Sequence, residues 1–237
     1  METIYTFFIG CIFGSFLQVV IDRAPQGEDF ILSRSHCDAC HHVLHAVDLI
    51  PLVSYFIHRG HCRYCKAKIT AKYPLTETVI GLLAVIYVSF FGLTIRSLVD
   101  LFLITLMIAI FVIDYHHMII PDTLNLLILP EVIYYWVADG FTLSNIFGLS
   151  VSLLMIMVSF FYKDSIGGGD IKYLAVLGLL FGYPKIIFLL AVSTTIASLY
   201  ALYELIRHNK SLRSYIAFGP FISLSAIFFL ILNHIGK

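Results

Sequence analysis

Long apolar segments alternate with short polar ones along most of the chain. A helix needs about 17–25 apolar residues to cross the roughly 30 Å of hydrocarbon in a bilayer. This criterion predicts about eight membrane-spanning helices, the sixth of them short. They lie at residues 3–21, 74–93, 97–115, 120–138, 142–162, 170–183, 184–206 and 214–234. The fold class predicted from this pattern is an all-α polytopic membrane protein.

The composition agrees with a membrane protein and excludes some functions. The 237 residues are 59% hydrophobic and only 13% charged, whereas soluble domains carry about 25% charged residues. The formal net charge is +0, which gives no electrostatic basis for binding nucleic acid. The chain starts with Met1-Glu2, and no A-x-A pattern follows the first apolar segment. We therefore expect this segment to be a retained membrane helix rather than a signal peptide.

The basic residues predict the orientation of the helices. Alternate placement of the eight helices puts residues 22–73, 116–119, 163–169 and 207–213 on one side of the membrane. With Lys172 counted at the start of the sixth helix, that side carries every Lys and Arg of the chain except Arg96, Lys185 and Lys237. Basic loops remain in the cytoplasm, so both termini are expected outside.

The chain divides into three predicted parts. Residues 1–21 form the first helix, 22–73 a small cytoplasmic loop domain, and 74–237 a membrane core of seven helices. A segment as short as the loop domain rarely holds a core of its own and usually needs a metal or disulfides. It contains a short repeat, in which His36-Cys37-Asp38-Ala39-Cys40 recurs as His61-Cys62-Arg63-Tyr64-Cys65.

The two C-x-x-C pairs of the repeat predict a metal site. Four cysteines at this spacing are typical of tetrahedral zinc, and a closed four-sulfur site is structural rather than catalytic. The cytoplasm is reducing, which disfavours disulfides. Metal-free thiols, an iron–sulfur site, and a mixed site using some of the six loop histidines remain alternatives. The predicted ligands are Cys37, Cys40, Cys62 and Cys65, and the fifth cysteine, Cys11, is expected to pack within the first helix.

Two acids near the predicted cytoplasmic ends of helices suggest catalysis. Asp114 ends the third apolar segment, and Asp170 follows the three glycines Gly167–Gly169. Each acid alone could mark a helix end, but charge at a membrane segment usually has a function. Two carboxyl groups that share a site cannot both ionise readily, so one keeps a proton. Such a pair could activate water against an amide carbonyl and protonate the product.

Other residues around the two acids have alternative roles. The bare backbone of Gly167, Gly168 and Gly169 would let an extended substrate approach Asp170 closely. Glu77, in the first turn of the second helix, could stabilise the helix dipole or support the active site. Lys172 could support the active site or only anchor its helix at the cytoplasmic side.

The ordered motifs of the chain resemble those of the type IV prepilin peptidases, relatives of the GxGD membrane aspartyl peptidases. The resemblance extends from near the N-terminus to about residue 220. The motifs are Gly14-Ser15-Phe16-Leu17-Gln18 with Asp22-Arg23-Ala24-Pro25, the two C-x-x-C pairs, Asp48-Leu49-Ile50-Pro51, Tyr73-Pro74-Leu75-Thr76-Glu77, Ile113-Asp114, Ile120-Pro121-Asp122, Gly167-Gly168-Gly169-Asp170-Ile171-Lys172 and Phe218-Gly219-Pro220.

The resemblance implies a protease of the bacterial cytoplasmic (inner) membrane. Its expected substrates are type IV prepilin or pseudopilin precursors, cleaved after a Gly at the cytoplasmic face of the bilayer. Asp114 and Asp170 match the catalytic aspartates of the family, and the four loop cysteines match its metal-binding loop. Many members also methylate the new N-terminus with S-adenosylmethionine. Gln18 stands where the common family pattern has Asn.

Alternatives of other classes remain at this point. A transporter could use paired membrane acids to carry protons or cations, although such proteins often contain inverted repeats. A membrane-anchored interaction module built on the metal loop is a second alternative. Within the enzyme class, a peptidase without methyltransferase activity competes with a bifunctional enzyme.

Overall fold

The computed structural model describes residues 1–31, 33–161, 167–208 and 216–236, and in these ranges the regular structure is helical. The long helices are α1 (Glu2–Arg23), α3 (Lys72–Phe91), α4 (Ile95–His117), α5 (Asp122–Asp139), α7 (Ser150–Phe161), α8 (Gly168–Phe181), α9 (Lys185–His208) and α10 (Gly219–Ile235). Two short helices are α2 (Val53–Ile57) and α6 (Leu143–Phe147), and 3-10 turns lie at Ala24–Gln26 and Ala46–Leu49. Of the basic residues used for orientation, Lys163, Lys210, Arg213 and Lys237 lie outside the described residues.

Each predicted apolar segment corresponds to helical structure, and several of these helices suit a membrane. Five helical stretches of the described chain are long and apolar enough to cross a bilayer. They are Glu2–Gln26, Lys72–Phe91, Ile95–His117, Leu143–Phe161 and Lys185–Arg207, with Gly219–Ile235 as a shorter apolar helix. The chain is therefore a multi-pass, all-helical membrane protein, and eight spans stay a prediction.

The predicted apolar segment 142–162 is helical over most of its described part, with a short break that the pattern did not indicate. The structure divides it into α6 and α7, with Gly148 and Leu149 between them. A Cβ atom added to Gly148 would lie 2.0 Å from the carbonyl oxygen of Gly178 on α8. The backbones of the two segments therefore touch, an approach that only glycines allow.

The first compact unit spans Met1–Thr105, and in it α1 packs along α3 through small residues. A Cβ on Gly10 would lie 2.6 Å from the Cβ of Ala84, and one on Gly14 would lie 2.8 Å from the Cα of Glu77. Such close backbone approach is typical of helix pairs in membranes. The thiol of Cys11 is buried at this contact, as the sequence predicted.

The second compact unit spans Leu106–Lys237, and several helices pack around α8 within it. The side chains of Trp136 on α5 and Asn145 on α6 both donate hydrogen bonds to the carbonyl oxygen of Leu179, at 3.1 and 3.0 Å. The hydroxyls of Tyr173 on α8 and Ser223 on α10 lie 3.2 Å apart and are both buried. These contacts fix α8, whose first turn carries Asp170.

Candidate active site and metal centre

Asp114 lies in the last turn of α4 and is almost completely buried, with 5% of the residue exposed. The backbone N–H of Gly219, the first residue of α10, donates a hydrogen bond to its Oδ2 atom at 2.9 Å. The first N–H groups of a helix have no partner within the helix and suit a carboxylate. The start of α10 therefore holds one oxygen of this carboxyl group in a fixed position.

Asp170 lies in the first turn of α8, and its carboxyl group is within electrostatic range of Asp114. Its Oδ1 atom is buried and has no hydrogen-bond partner among the described residues. A buried carboxyl oxygen without a hydrogen-bond partner lowers stability, and in native proteins such an atom often has a catalytic role. The structure thus brings the two acids singled out in the sequence together in one unit.

The three glycines before Asp170 have different surroundings. A Cβ on Gly169 would lie 3.1 Å from the Cβ of Ile120, and one on Gly167 would lie 3.1 Å from the Oδ2 of Asp170. A Cβ on Gly168 would meet no atom within 4 Å, and this residue is exposed. Gly167 and Gly169 are therefore sterically restricted, whereas Gly168 borders open space.

Lys172 forms an ion pair between the second-unit helices α8 and α5. Its Nζ atom lies 2.7 Å from the Oδ2 of Asp122, and both side chains are more than half exposed. An exposed pair of this kind contributes little to stability, about 0–1 kcal/mol. The ion pair connects the start of α8 to the start of α5.

Glu77 is buried in the first unit and holds part of the loop segment. The N–H of Leu52 donates a hydrogen bond to its Oε2 atom at 2.7 Å, and the hydroxyl of Ser15 also bonds to the carboxylate. Leu52 has a φ of +61°, a backbone conformation that side chains disfavour. The carboxylate therefore fixes the start of α2 against α1 and α3.

The sulfur atoms of Cys37, Cys40, Cys62 and Cys65 form a cluster in the segment between α1 and α3. All four lie within 4.8 Å of one another, and those of Cys37 and Cys65 are 3.8 Å apart. Zinc–sulfur bonds of about 2.3 Å in a tetrahedron place neighbouring sulfurs about 3.8 Å apart. Backbone N–H groups of Cys65 and Tyr64 lower the pKa of Cys62 to about 7, which favours the thiolate that binds metal. The cluster is therefore suited to bind a metal.

The repeat seen in the sequence has the same backbone geometry in both copies. His36 pairs with Val43, and His61 with Lys68, in isolated antiparallel bridges. The N–H of each first cysteine bonds to the carbonyl oxygen five residues later, at His42 or Ala67. The fourth residue after that cysteine has a positive φ in both copies, at His41 and Lys66. Two equivalent turns thus present two sulfurs each.

Asp48 connects the two turns, a role that its motif in the sequence did not reveal. Its carboxylate accepts hydrogen bonds from the N–H of His45 and the hydroxyl of Tyr64, and it lies 3.7 Å from Arg63. Burial raises the pKa of Asp48, but these donors and the positive charges of Arg63 and His58 outweigh it and hold the pKa below its ordinary value. The ionised carboxylate therefore stabilises the cluster from one side.

Gln18 takes part in a polar network between α1 and α3 that the sequence did not predict. Its amide donates to both carboxyl oxygens of Asp22 at 3.1 Å and accepts a hydrogen bond from the hydroxyl of Thr76 at 2.8 Å. The hydroxyl of Tyr73 donates to the same carboxylate at 3.2 Å. These residues come from two of the motifs, and their contacts fasten α1 to the first turn of α3.

Apolar helices, a four-sulfur cluster and two neighbouring acids define a multi-pass membrane protein with a candidate metal centre and a candidate acid pair. Two family models match the chain: "Bacterial Peptidase A24 N-terminal domain" over residues 8–91 and "Type IV leader peptidase family" over residues 101–202. The chain belongs to the type IV leader peptidase family. This finding agrees with the resemblance drawn from the motifs.

Curated relatives carry the name prepilin leader peptidase/N-methyltransferase. The protein of Pseudomonas putida is 28% identical over 247 residues, which cover 92% of this chain and 86% of the relative. That of Bacillus subtilis is 28% identical over 229 residues, covering 93% and 90%. That of Myxococcus xanthus is 32% identical over 187 residues, covering 74% and 55%. No solved structure matches the chain significantly.

Proposed function

We propose that this protein is an intramembrane aspartyl endopeptidase that removes the leader peptide of type IV prepilin-like precursors. The observation that carries the proposal is that, within the second unit, the carboxyl group of Asp170 in the first turn of α8 lies within electrostatic range of Asp114 in the last turn of α4. Membership of the family and the names of the relatives support a leader peptidase. Cleavage follows a Gly at the cytoplasmic face of the membrane.

The two carboxyl groups divide the proton transfers of hydrolysis between them. The ionised acid takes a proton from water as the water oxygen bonds to the amide carbon. The protonated acid gives its proton to the carbonyl oxygen. The acid that took a proton from water then gives it to the leaving nitrogen as the C–N bond breaks. A hydroxyl of the tetrahedral intermediate returns a proton to the other acid, so one water is consumed in total. A buried pair suits this chemistry because the two groups cannot both ionise readily.

The proposed membrane arrangement has eight spans in the bacterial cytoplasmic membrane and both termini outside. Residues 22–73 then form a cytoplasmic metal-binding domain between the first two spans, and 74–237 form the peptidase core. The basic residues on the cytoplasmic side support this orientation. A basic leader would remain in the cytoplasm for the same reason, so its cleavage site would lie at the depth of the two acids.

The supporting residues have distinct proposed roles. Gly168 borders open space and admits the substrate backbone beside Asp170. Gly167 and Gly169 lack the side chains that would crowd Asp170 and Ile120. Lys172 supplies positive charge near the acids. Glu77 holds the start of α2 within the first unit through its hydrogen bond with Leu52.

The proposed metal is structural zinc, held by Cys37, Cys40, Cys62 and Cys65. The separation of 3.8 Å between the sulfurs of Cys37 and Cys65 fits tetrahedral coordination. Zinc in such a closed site stabilises the fold and takes no part in the chemistry. The name of the relatives supports a second, methyltransferase activity with S-adenosylmethionine.

A cleavage assay tests the proposal. The purified protein and its Asp114→Asn and Asp170→Asn variants are mixed with a prepilin-like substrate, with and without S-adenosylmethionine, and the products are read by mass. We expect cleavage after Gly by the unmodified protein alone, and an added methyl mass if the enzyme is bifunctional. Wild-type rates in either Asn variant would show that this acid is not catalytic. A folded protein that cleaves no prepilin would favour the transporter alternative.

A further inference from the structure

We propose that Gly219 is a positioning residue, whose backbone N–H holds the carboxylate of Asp114 in the geometry that catalysis requires. The proposal rests on the proposed Asp114/Asp170 chemistry. It assigns a role to the Phe218-Gly219-Pro220 motif, which the function of the two acids leaves unexplained. Gly219 lies 105 residues from Asp114 along the chain, and the two are joined by a buried hydrogen bond of 2.9 Å.

The first turn of α10 directs a single donor at Asp114. Pro220 has no N–H group. The N–H groups of Phe221 and Ile222 both bond to the carbonyl oxygen of Phe218, at 3.0 and 3.2 Å. The N–H of Gly219 is therefore the donor in this turn that is directed out of the helix. It reaches Oδ2 of Asp114, which leaves the rest of that carboxyl group for water or substrate.

Space, rather than backbone conformation, explains the glycine at this position. The backbone of Gly219 is not in the left-handed region, so any residue could adopt its conformation. A Cβ atom here would lie 2.7 Å from Oδ2, 3.0 Å from Cγ and 3.1 Å from Cβ of Asp114. An alanine would therefore push the carboxyl group off the N–H. Glycine is the residue that permits the bond.

The same helix also connects to α8, which carries the second acid. Ser223 lies one turn after Gly219, and its hydroxyl is 3.2 Å from that of Tyr173, three residues after Asp170. Phe221 packs on the ring of Tyr200 from α9, with ring centroids 5.5 Å apart. The start of α10 thus contacts Asp114 directly and the Asp170 helix through Tyr173, so it sets the spacing of the two acids.

The first variant that tests the proposal is Gly219→Ala. Alanine is a better helix former than glycine, which offsets part of the cost of the displaced carboxyl group, so we expect the variant to fold with its helical circular dichroism unchanged. Because a displacement near 1 Å of a reacting group can cost about 100-fold, we expect kcat to fall about 100-fold and KM to change little. Gly236→Ala, at the other end of α10 with its nearest atom at 3.6 Å, is the matched control and should keep both constants. A Gly219→Ala enzyme with wild-type kcat would overturn the proposal.

A backbone ester removes the donor without adding any atom. Glycolic acid in place of Gly219 replaces its N–H by oxygen and leaves the space beside Asp114 unchanged. A hydrogen bond to a charged group contributes about 1.5–3 kcal/mol, so we expect kcat to fall about 10- to 150-fold. An ester enzyme with unchanged kcat would overturn the proposal even if the alanine variant failed to fold. Asp114→Asn and Asp170→Asn are assayed alongside to test the acid pair itself. Cleavage by those two variants would refute the proposed function. If they are inactive while the ester enzyme is fully active, only the role of Gly219 is refuted.

Discussion

Removal of one cysteine ligand should unfold the loop segment while the membrane helices remain folded. Among the described residues of 22–73, the buried hydrophobic side chains are Ala24, Phe30 and Cys62. Burial of a phenylalanine side chain contributes about 1.5–3 kcal/mol, whereas zinc coordination in small domains supplies about 10–16 kcal/mol. A metal bound by the four cysteines would therefore be the dominant stabilising interaction of this segment. Cys62→Ser is the sharpest perturbation because Cys62 is the most buried ligand, with 5% of the residue exposed.

The assay combines metal analysis with limited proteolysis. Metal content by mass spectrometry should fall from one ion per chain to nearly none in Cys62→Ser, because three thiolates leave the tetrahedral site open. Trypsin should then cut at the basic residues of the loop much faster than in the wild type, and the helical circular dichroism should change little. Cys11→Ala is the control, since that thiol lies outside the cluster. Full metal content, or an unchanged cutting rate, in Cys62→Ser would refute the reasoning.

Three further substitutions test other contacts. Glu77→Ala leaves the N–H of Leu52 without its acceptor, so hydrogen exchange of that amide should accelerate by about 5- to 150-fold, corresponding to about 1–3 kcal/mol. Glu77→Gln keeps an acceptor and should keep the amide protected. Equal exchange rates in the two variants would contradict the hydrogen bond between Glu77 and Leu52. Gly178→Ala places a Cβ 2.4 Å from the carbonyl oxygen of Gly148 and should destabilise the protein by about 1–3 kcal/mol in denaturant unfolding; wild-type stability would disprove the close approach. Lys172→Met removes an exposed ion pair and should change the unfolding free energy by less than about 1 kcal/mol, so a larger loss would reveal a buried role.

Features with a strong local pattern were predictable from the sequence. The apolar segments predicted helices because their length and hydropathy are properties of a continuous stretch. The two C-x-x-C pairs predicted a cluster because each pair already brings two sulfurs together in one turn. The break at Gly148 had no signal in the local pattern, since it arises from a contact with a helix 30 residues later.

Contacts between distant residues could not be predicted in the same way. The sequence marked Asp114 and Asp170 as a pair, but the partner that holds Asp114 lies in a motif whose glycine had no evident function. Glu77 was placed in a helix start with two open roles, and its bond to Leu52 depends on the path of the loop. Asp48 lies between the cysteine pairs, and only the folded loop brings Tyr64 and Arg63 to its carboxylate. Tertiary packing decides each of these contacts.

The connection of α10 to both α4 and α8 has a consequence for how this chain can change in length. Gly219 and Ser223 act on different partners from positions four residues apart on one helix. An α-helix advances about 100° per residue, so one residue inserted between them would turn Ser223 away from Tyr173 while Gly219 stayed in place. We therefore expect active variants of this chain to contain no insertion or deletion between residues 219 and 223.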